Sequence, residues 1–417
     1  MMSLLSRVKE ISIEDYSYDL PDERIAKYPA DPRDASRLLL YRSGDISSLR
    51  FYRLPDCLPD DTMLVYNNTR VIHARLFFYK ESGARVEIFC LEPMAPADYA
   101  RNFQARGCCE WQCLVGNLKK WKSGMLLQRL KVGDRPCTLL AEHLGSHDKA
   151  QHIRFSWEPA DLAFGDLLEA AGQIPIPPYL NRESEKSDET TYQTIYSRIE
   201  GSVAAPTAGL HFTPEVLAAI DKKGIPRREV TLHVSASTFQ PVKSAQMEGH
   251  PMHVEFISVE RTLIEDLLHI GRSVTAVGTT SVRTLESLYW FGVHLLEEAA
   301  EPNSEPVAEE TEDWVLDQWY PYEDHEDFPV RTALQALLDW MDDRGQAAFH
   351  GSTRLLIAPG YRFRIVRAML TNFHQPKSTL LLLVSAFVGD DWRRIYRYAL
   401  DNGYRFLSYG DSSLLQP

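Results

Sequence analysis

The segment Ala204–Phe212, which reads AAPTAGLHF, combines residue types that can bind and react with a ligand. Thr207 and His211 bring polar side chains, and Gly209 favours an irregular backbone. Thr213-Pro214 follows as a helix start, and the N–H groups of a helix N-terminus attract anions. A capped loop with a packed histidine is the alternative, so this segment alone indicates no more than an anion site.

More histidines follow within Thr231–Glu255, where His233, His250 and His253 lie among threonine and glutamine. This density close to glycine and proline turns favours a reactive site. Metal binding is the rival interpretation, but the spacing His250-x-x-His253 fits no common zinc pattern and no cysteine is near. We therefore predict no metal site.

A third motif, Val277–Ser287 (VGTTSVRTLES), runs from an apolar strand through a turn into a helix. Thr279 and Thr280 occupy the turn, and Arg283 and Glu286 lie on the helix. The motif can hold a nucleoside or a carboxylate, although it lacks the GxGxxG of dinucleotide sites. Alternatively, Arg283 and Glu286 pair with each other on the helix surface.

Polar residues also adjoin two other apolar segments. Asn67, Asn68 and Arg70 follow a predicted strand at Thr62–Tyr66, and ligands bind at the carboxyl ends of strands in α/β sheets. The alternative is a turn between domains, with asparagine chosen for its geometry.

The motif Thr371–Leu380 (TNFHQPKSTL) contains Asn372 and His374 and precedes Leu380–Phe387, the most apolar run of the chain. We expect this run to be a buried strand, since it is far too short to cross a bilayer. The stretch YRFLSYGD, which includes Asp411, follows later. These polar residues are either part of a site or ordinary strand ends.

Hydrophobic periodicity predicts an α/β layered core with an inserted small antiparallel domain, either a β-barrel or a sandwich. Short alternating strands with glycine turns fill residues 71–158, whereas strands and helices alternate after Ala160. The predicted division is therefore 1–70 and 159–417 for the core and 71–158 for the barrel. An acidic insertion is expected at about 300–346, with a solvated Glu- and Pro-rich segment near Glu301–Asp327 and one helix at Arg331–Met341.

The net charge of −13 is distributed unevenly. Residues 295–345 contain 16 acidic and two basic residues, a balance of −14, so the rest of the chain is at +1. Residues 70–158 contain 14 basic and nine acidic residues, a surplus of +5. Because salt screens distant charges, a basic lobe can still bind nucleic acid.

The stretch Gly116–Gly124 (GNLKKWKSG) interleaves lysines with an aromatic ring. This pattern suits single-stranded nucleic acid, although a solvated hairpin tip is an equal alternative. The predicted RNA-binding residues are Lys119, Lys120, Trp121 and Lys122. The N-terminal residues lack the apolar run of a signal peptide, so we expect a cytoplasmic protein without membrane contact.

Together, these motifs resemble the S-adenosylmethionine:tRNA ribosyltransferase-isomerase family of queuosine biosynthesis. The resemblance spans nearly the whole chain in order and is carried by YNNTRVIHARL, YQTIYS, AAPTAGLHFT, VTLHVSASTFQPV, HPMHVEF, VGTTSVRTLES, APGYRF, TNFHQPKSTL, LLVSAF and YRFLSYGD. It implies an α/β domain with an inserted β-barrel. Ser235 and Ser237 depart from the family pattern, which has glycine at both positions.

The resemblance implies that the ribosyl part of S-adenosylmethionine, a co-substrate, is transferred to 7-aminomethyl-7-deazaguanine at the wobble position of tRNA. Adenine and methionine leave, epoxyqueuosine-tRNA forms, and no bound cofactor is needed. The chemistry requires a base beside the sulfonium and an acid for adenine, and histidine suits both tasks. We expect His211 and His233 to lead as acid and base, with His253 and His374 behind them.

Substrate contacts are expected from the other motifs. Thr207, Thr279 and Thr280 would hold the adenosyl part, and Arg283 would hold the methionine carboxylate. Further substrate-binding residues are Asn67, Asn68, Arg70, Gly209, Asn372 and Asp411. A monomer is expected. An S-adenosylmethionine-dependent RNA methyltransferase and a non-catalytic RNA-binding protein stay open as alternatives.

Overall fold

The computed structural model describes residues 2–80, 83–121, 123–147, 150–234, 242–269, 273–300 and 314–417. Within these ranges the helices are α1 (Leu4–Lys9), α2 (Leu54–Cys57), α3 (Tyr99–Phe103), α4 (Phe164–Ala171), α5 (Asp188–Thr191), α6 (Pro214–Lys222), α7 (Arg261–His269), α8 (Gly278–Ala300), α9 (Val330–Asp343), α10 (Thr379–Val388) and α11 (Asp391–Asp401). The strands are β1 (Arg37–Arg42), β2 (Asp45–Arg50), β3 (Thr62–Asn67), β4 (Thr69–Val71), β5 (Arg75–Tyr79), β6 (Arg85–Ala95), β7 (Cys108–Gly116), β8 (Leu126–Val132), β9 (Arg135–His147), β10 (Ala150–Glu158), β11 (Gly172–Gln173), β12 (Ile199–Ser202), β13 (Arg227–Leu232), β14 (Glu255–Glu260), β15 (Ser273–Val277), β16 (Val315–Leu316), β17 (Ala348–Thr353), β18 (Val366–Asn372) and β19 (Ser412–Gln416).

A mixed sheet of ten strands forms the centre of the fold, in the order β16-β17-β14-β13-β3-β15-β18-β19-β1-β2. Its four middle strands, β13, β3, β15 and β18, run parallel. Their carboxyl ends therefore lie at one edge of the sheet. The predicted motifs around Asn67, His233, Thr279 and Asn372 come at or directly after these ends, so the topology brings segments that are far apart in sequence to one edge.

Strand β3 is buried on both faces because alternate side chains enter different cores. Met63 and Val65 pack in a cluster with residues of helices α8, α9, α10 and α11. Leu64 and Tyr66 pack on the other face with residues of α2 and α6. Helices thus cover both faces, and the mixed α/β class predicted from the sequence is confirmed.

A second sheet contains seven antiparallel strands in the order β11-β5-β6-β7-β10-β9-β8. It curls so that β8 comes close to β5. Its inner side chains, among them Phe78, Trp111 and Phe155, form a separate hydrophobic cluster that also includes Phe164 of α4.

Two expectations from the sequence are wrong. The run Leu380–Phe387 is not a strand but part of helix α10, whose N-cap Ser378 accepts a hydrogen bond from the Leu381 backbone N–H. The segment near Glu301–Asp327 is not all solvated, because Leu316 and Tyr322 are buried in the main core, whereas the helix expected at Arg331–Met341 is present as α9. Residues 301–313 of that stretch lie outside the described ranges.

Candidate functional site

A cavity of about 350 Å³ lies at the carboxyl edge of the parallel strands. Its wall comes from segments that are far apart in sequence, among them those that contain Thr207, Ser244, Glu255, Thr280 and Asn372. Several polar side-chain atoms of this wall are buried without a hydrogen-bond partner in the described part of the chain. These atoms are Ser244 Oγ, Thr280 Oγ1, Arg283 Nη2 and Asn372 Oδ1. Since buried polar atoms are normally paired, this concentration indicates a ligand site.

Arg283 is the buried cation of the cavity wall. Its Nη1 donates to Glu255 Oε2, and its Nε donates to the Leu355 carbonyl oxygen over 3.2 Å. Its Nη2 has no partner among the described residues. Arg283 therefore offers one charged donor to a ligand. The alternative interpretation, a surface pair with Glu286, is wrong because both side chains are buried and have different partners.

Thr279 and Thr280 line the cavity where β15 passes into α8. Gly278 makes this passage with φ +85°, a conformation that a side chain would strain. The hydroxyl of Thr280 has no partner in the described part of the chain, whereas the hydroxyl of Thr284, one turn later, donates to the Thr280 carbonyl oxygen over 3.0 Å.

Of the four predicted catalytic histidines, His253 and His374 line the cavity, and His211 and His233 do not. His211 lies behind Asn372, with Nε2 3.2 Å from the Asn372 Nδ2. His233 stacks on Tyr99 near the second sheet, with ring centroids 4.3 Å apart. The leading pair expected from the sequence is therefore set back from the cavity, and the two weaker candidates lie at it.

Burial disfavours the protonated form of these imidazoles. It lowers the pKa of His211 to about 3 and the pKa values of His233 and His374 to about 4. Burial, followed by the charges of Arg283 and Arg354, also lowers the pKa of His253. The rings are thus neutral at neutral pH. A neutral imidazole can accept a proton, and it must do so before it can act as an acid.

The asparagines at the end of β3, Asn67 and Asn68, bond this strand to β13. Asn67 Nδ2 donates to the Leu232 carbonyl oxygen over 2.9 Å, and its Oδ1 accepts from the Leu232 N–H over 3.2 Å. Asn68 bonds Glu229 and Thr231, each over 2.9 Å. These amides do not line the cavity. Their bonds account for asparagine at both positions without a ligand.

Three other predicted binding residues also lie away from the cavity wall. Asp411 is buried and accepts from the backbone N–H groups of Arg37 and Arg405, each over 2.8 Å. Gly209 leaves room for the Tyr196 hydroxyl, which a side chain at residue 209 would meet at 2.0 Å. Arg70 is exposed at β4.

In the predicted RNA-binding segment the described lysines are exposed, whereas the aromatic ring is not. Lys119 and Lys120 are exposed. Trp121 is buried, and its Nε1 donates to the Gly124 carbonyl oxygen over 2.8 Å, so it does not present a face for a base to stack on. Lys122 lies outside the described residues, as do Ser235 and Ser237.

Sequence reasoning did not select Glu255 or Ser244, which also line the cavity. The available signal for Glu255 was its place in the motif HPMHVEF, two residues after His253. Among the described residues, no three His, Cys, Asp or Glu side chains gather as metal ligands. Within the same ranges, no helix has the length and apolarity needed to cross a bilayer.

Comparison with known proteins finds relatives over nearly the full length. A model of the family described as queuosine biosynthesis protein matches residues 13–415. An S-adenosylmethionine:tRNA ribosyltransferase-isomerase from Trichlorobacter lovleyi is 38% identical over 97% of this chain and 99% of its own. A relative of the same name from Magnetococcus marinus is 37% identical over 96% of this chain and 93% of its own. The crystal structure of an S-adenosylmethionine tRNA ribosyltransferase from Thermotoga maritima is 28% identical, with coverage of 96% and 99% and a TM-score of 0.45.

Proposed function

The chain belongs to the queuosine biosynthesis protein family, and we propose that it is an S-adenosylmethionine:tRNA ribosyltransferase-isomerase. The proposed reaction joins the ribosyl part of S-adenosylmethionine to the amine of 7-aminomethyl-7-deazaguanine at the tRNA wobble position. Adenine and methionine leave, and epoxyqueuosine-tRNA is the product. S-adenosylmethionine acts as a co-substrate.

The ion pair between Arg283 and Glu255 is the observation that carries this proposal. Both residues line the cavity, so its wall presents a cation and an anion side by side. The amino-acid end of S-adenosylmethionine carries a carboxylate and an ammonium on one carbon. We propose that the carboxylate binds Arg283 Nη2 and that the ammonium lies toward Glu255. The threonines Thr207, Thr279 and Thr280 then border the adenosyl half.

His253 and His374 are the proposed proton-transfer residues, because they line the cavity and are neutral at neutral pH. A neutral ring accepts the proton next to the sulfonium. The resulting imidazolium can return a proton to adenine as the bond to the ribose breaks. One histidine thus supplies first the base and then the acid. His253 is the more exposed of the two.

We propose that the second sheet is the β-barrel domain inserted into the α/β core. Residues 71–158 form its main segment, and helix α4 packs against its inner side chains. Its surplus of basic residues supports a role in tRNA binding through Lys119 and Lys120. A monomer is the proposed oligomeric state. A tRNA substrate supports the proposal of a cytoplasmic protein.

The test incubates the protein with S-adenosylmethionine and tRNA that carries 7-aminomethyl-7-deazaguanine, and identifies the released small molecules by chromatography and mass spectrometry. Adenine with methionine is the expected result. S-adenosylhomocysteine would indicate a methyltransferase instead. Binding of tRNA without any small-molecule product would indicate a non-catalytic RNA-binding protein. The same tRNA with unmodified guanine is the control and should release neither adenine nor methionine.

A further inference from the structure

Asn372 presents an uncommitted hydrogen-bond acceptor at the cavity. Its side chain is 2% exposed and lines the cavity wall. Its Nδ2 donates to the Leu407 carbonyl oxygen over 3.3 Å. Because a carbonyl oxygen can only accept, the amide nitrogen must be the atom on the Leu407 side. The amide oxygen then lies on the other side, where it has no partner in the described part of the chain.

His211 fixes this orientation from behind the wall. Its Nε2 is 3.2 Å from the same Asn372 Nδ2, so the second amide hydrogen meets a ring nitrogen that must be unprotonated to accept it. The ring hydrogen then lies on Nδ1, which donates to Ser36 Oγ over 2.9 Å. Phe51 packs against the imidazole with ring centroids 5.0 Å apart. Both ring nitrogens are therefore engaged within the protein.

The surroundings of His211 support a fixed neutral tautomer. Arg405 and Arg33 are the charged groups that act on the ring, and both disfavour a further proton. A proton on Nε2 would also face the N–H groups of Asn372. Nothing in this arrangement gives the ring a route to a substrate atom, because Asn372 lies between the ring and the cavity.

We propose that His211 is a positioning residue, and that the chain Ser36–His211–Asn372 holds Asn372 Oδ1 to accept a hydrogen bond from the adenosyl half of S-adenosylmethionine. This inference rests on the proposed function. The amino-acid half belongs at Arg283 and Glu255, where both of its charges are matched. The remaining donors are the adenine amine and the ribose hydroxyls. An acceptor held in this way selects for a ligand that carries such a donor.

The first experiment compares His211→Gln, which keeps a hydrogen-bond acceptor for the Asn372 amide, with His211→Phe, which keeps an aromatic ring but has no acceptor. Calorimetry with S-adenosylmethionine should show binding weakened about tenfold in His211→Phe and within about threefold of wild type in His211→Gln. The pH–rate profile of adenine release should keep its shape in both variants, since the ring takes no part in proton transfer. Ser36→Ala, which frees the ring from its other partner, should show a smaller loss than His211→Phe.

The second experiment uses analogues of S-adenosylmethionine that lack the adenine amine, the 2′-hydroxyl or the 3′-hydroxyl. Wild-type protein should bind one of these analogues about tenfold more weakly than S-adenosylmethionine. Asn372→Ala should bind that analogue and S-adenosylmethionine with similar affinity, and it should discriminate the other two analogues as wild type does. Urea unfolding of each variant shows whether it folds.

Two results would overturn the inference. In the first, His211→Gln loses adenine release as fully as His211→Phe, with one limb of the pH profile missing, so that the ring is an acid or base. In the second, wild type and Asn372→Ala discriminate all the analogues equally. If wild-type protein binds S-adenosylmethionine with the expected pattern but releases no adenine with tRNA, the proposed function fails and the positioning role stands.

Discussion

Helix α8 carries two buried charges three residues apart, and their surroundings differ. Glu286 accepts from the Tyr361 hydroxyl over 2.9 Å and from three backbone N–H groups, those of Arg364, Ile365 and Val366, over 2.8 to 3.0 Å. Arg283 is also paired, but its Nη2 is unpartnered in the described part of the chain. A buried charged group whose hydrogen bonds are all made within the protein stabilises the fold. A buried charged group with an unpartnered donor is available to a ligand.

Replacing Arg283 should have the largest effect on the reaction. Arg283→Lys keeps a cation for Glu255 but cannot also present a second fixed N–H to the ligand. We expect the affinity for S-adenosylmethionine and kcat/KM for adenine release to fall about a hundredfold, because a hydrogen bond between charged groups contributes roughly 1.5–3 kcal/mol. Calorimetry and single-turnover adenine release measure both. An affinity within threefold of wild type would mean that the carboxylate binds elsewhere.

Glu286→Gln should instead affect stability. The amide nitrogen of glutamine would face N–H groups from which the carboxylate now accepts hydrogen bonds. The free energy of unfolding should therefore fall by about 2 kcal/mol. Affinity for S-adenosylmethionine in the folded variant should be unchanged. Urea unfolding and calorimetry on the same preparation test both statements, and this variant is the matched control for Arg283→Lys. A loss of affinity without a loss of stability would reverse the comparison.

The buried histidines add a pH dependence to stability. The ordinary histidine pKa is 6.5, whereas burial lowers the pKa of His374 to about 4 in the folded protein. Below pH 6.5 the unfolded chain therefore binds a proton that the folded chain excludes, so stability falls as the pH drops toward 4. Each such ring contributes a slope of about 1.4 kcal/mol per pH unit. Urea unfolding between these pH values should give a smaller slope for His374→Gln, and an identical slope would contradict the buried neutral ring.

The smallest expected effect separates two threonines of the same helix. Thr280→Val removes the unpartnered hydroxyl at the cavity and should weaken S-adenosylmethionine binding about threefold to fivefold without loss of stability. Thr284→Val removes a hydroxyl that bonds the Thr280 carbonyl oxygen. It should lower the free energy of unfolding by about 0.5–1 kcal/mol and leave binding unchanged. Equal binding losses in both variants would show that the helix, not the hydroxyl, is being perturbed.

The sequence predicted the layers of the fold because strand and helix periodicity is local. It was wrong about α10, where a short apolar run fits a strand and a buried helix equally well. The length of ten residues and the N-cap Ser378 are the signals that decide for a helix. The same local logic correctly placed the start of α6, whose N-cap Thr213 precedes Pro214.

The cavity was predicted in part. Arg283, Thr279 and Thr280 were selected because polar residues follow a buried strand, and all three line the cavity. Which histidine faces the cavity depends instead on the neighbouring strands. Asn372 of β18 lies in front of His211, and the packing of Tyr99 covers His233. Spacing along the chain does not contain this information, since the covering residues are more than 100 positions away.

The position of β19 has a consequence for the order of folding during synthesis. Ser412–Gln416 lies between β18 and β1, so the hairpin β1–β2 joins the ten-stranded sheet through this strand. The hairpin leaves the ribosome first, yet its place in the sheet does not exist until the last of these residues has emerged. Until then, one edge of β18 and one edge of β1 have no strand partner. We therefore expect a newly made chain to pass through a stage in which such edges can pair with other chains, until β19 fills the position between them.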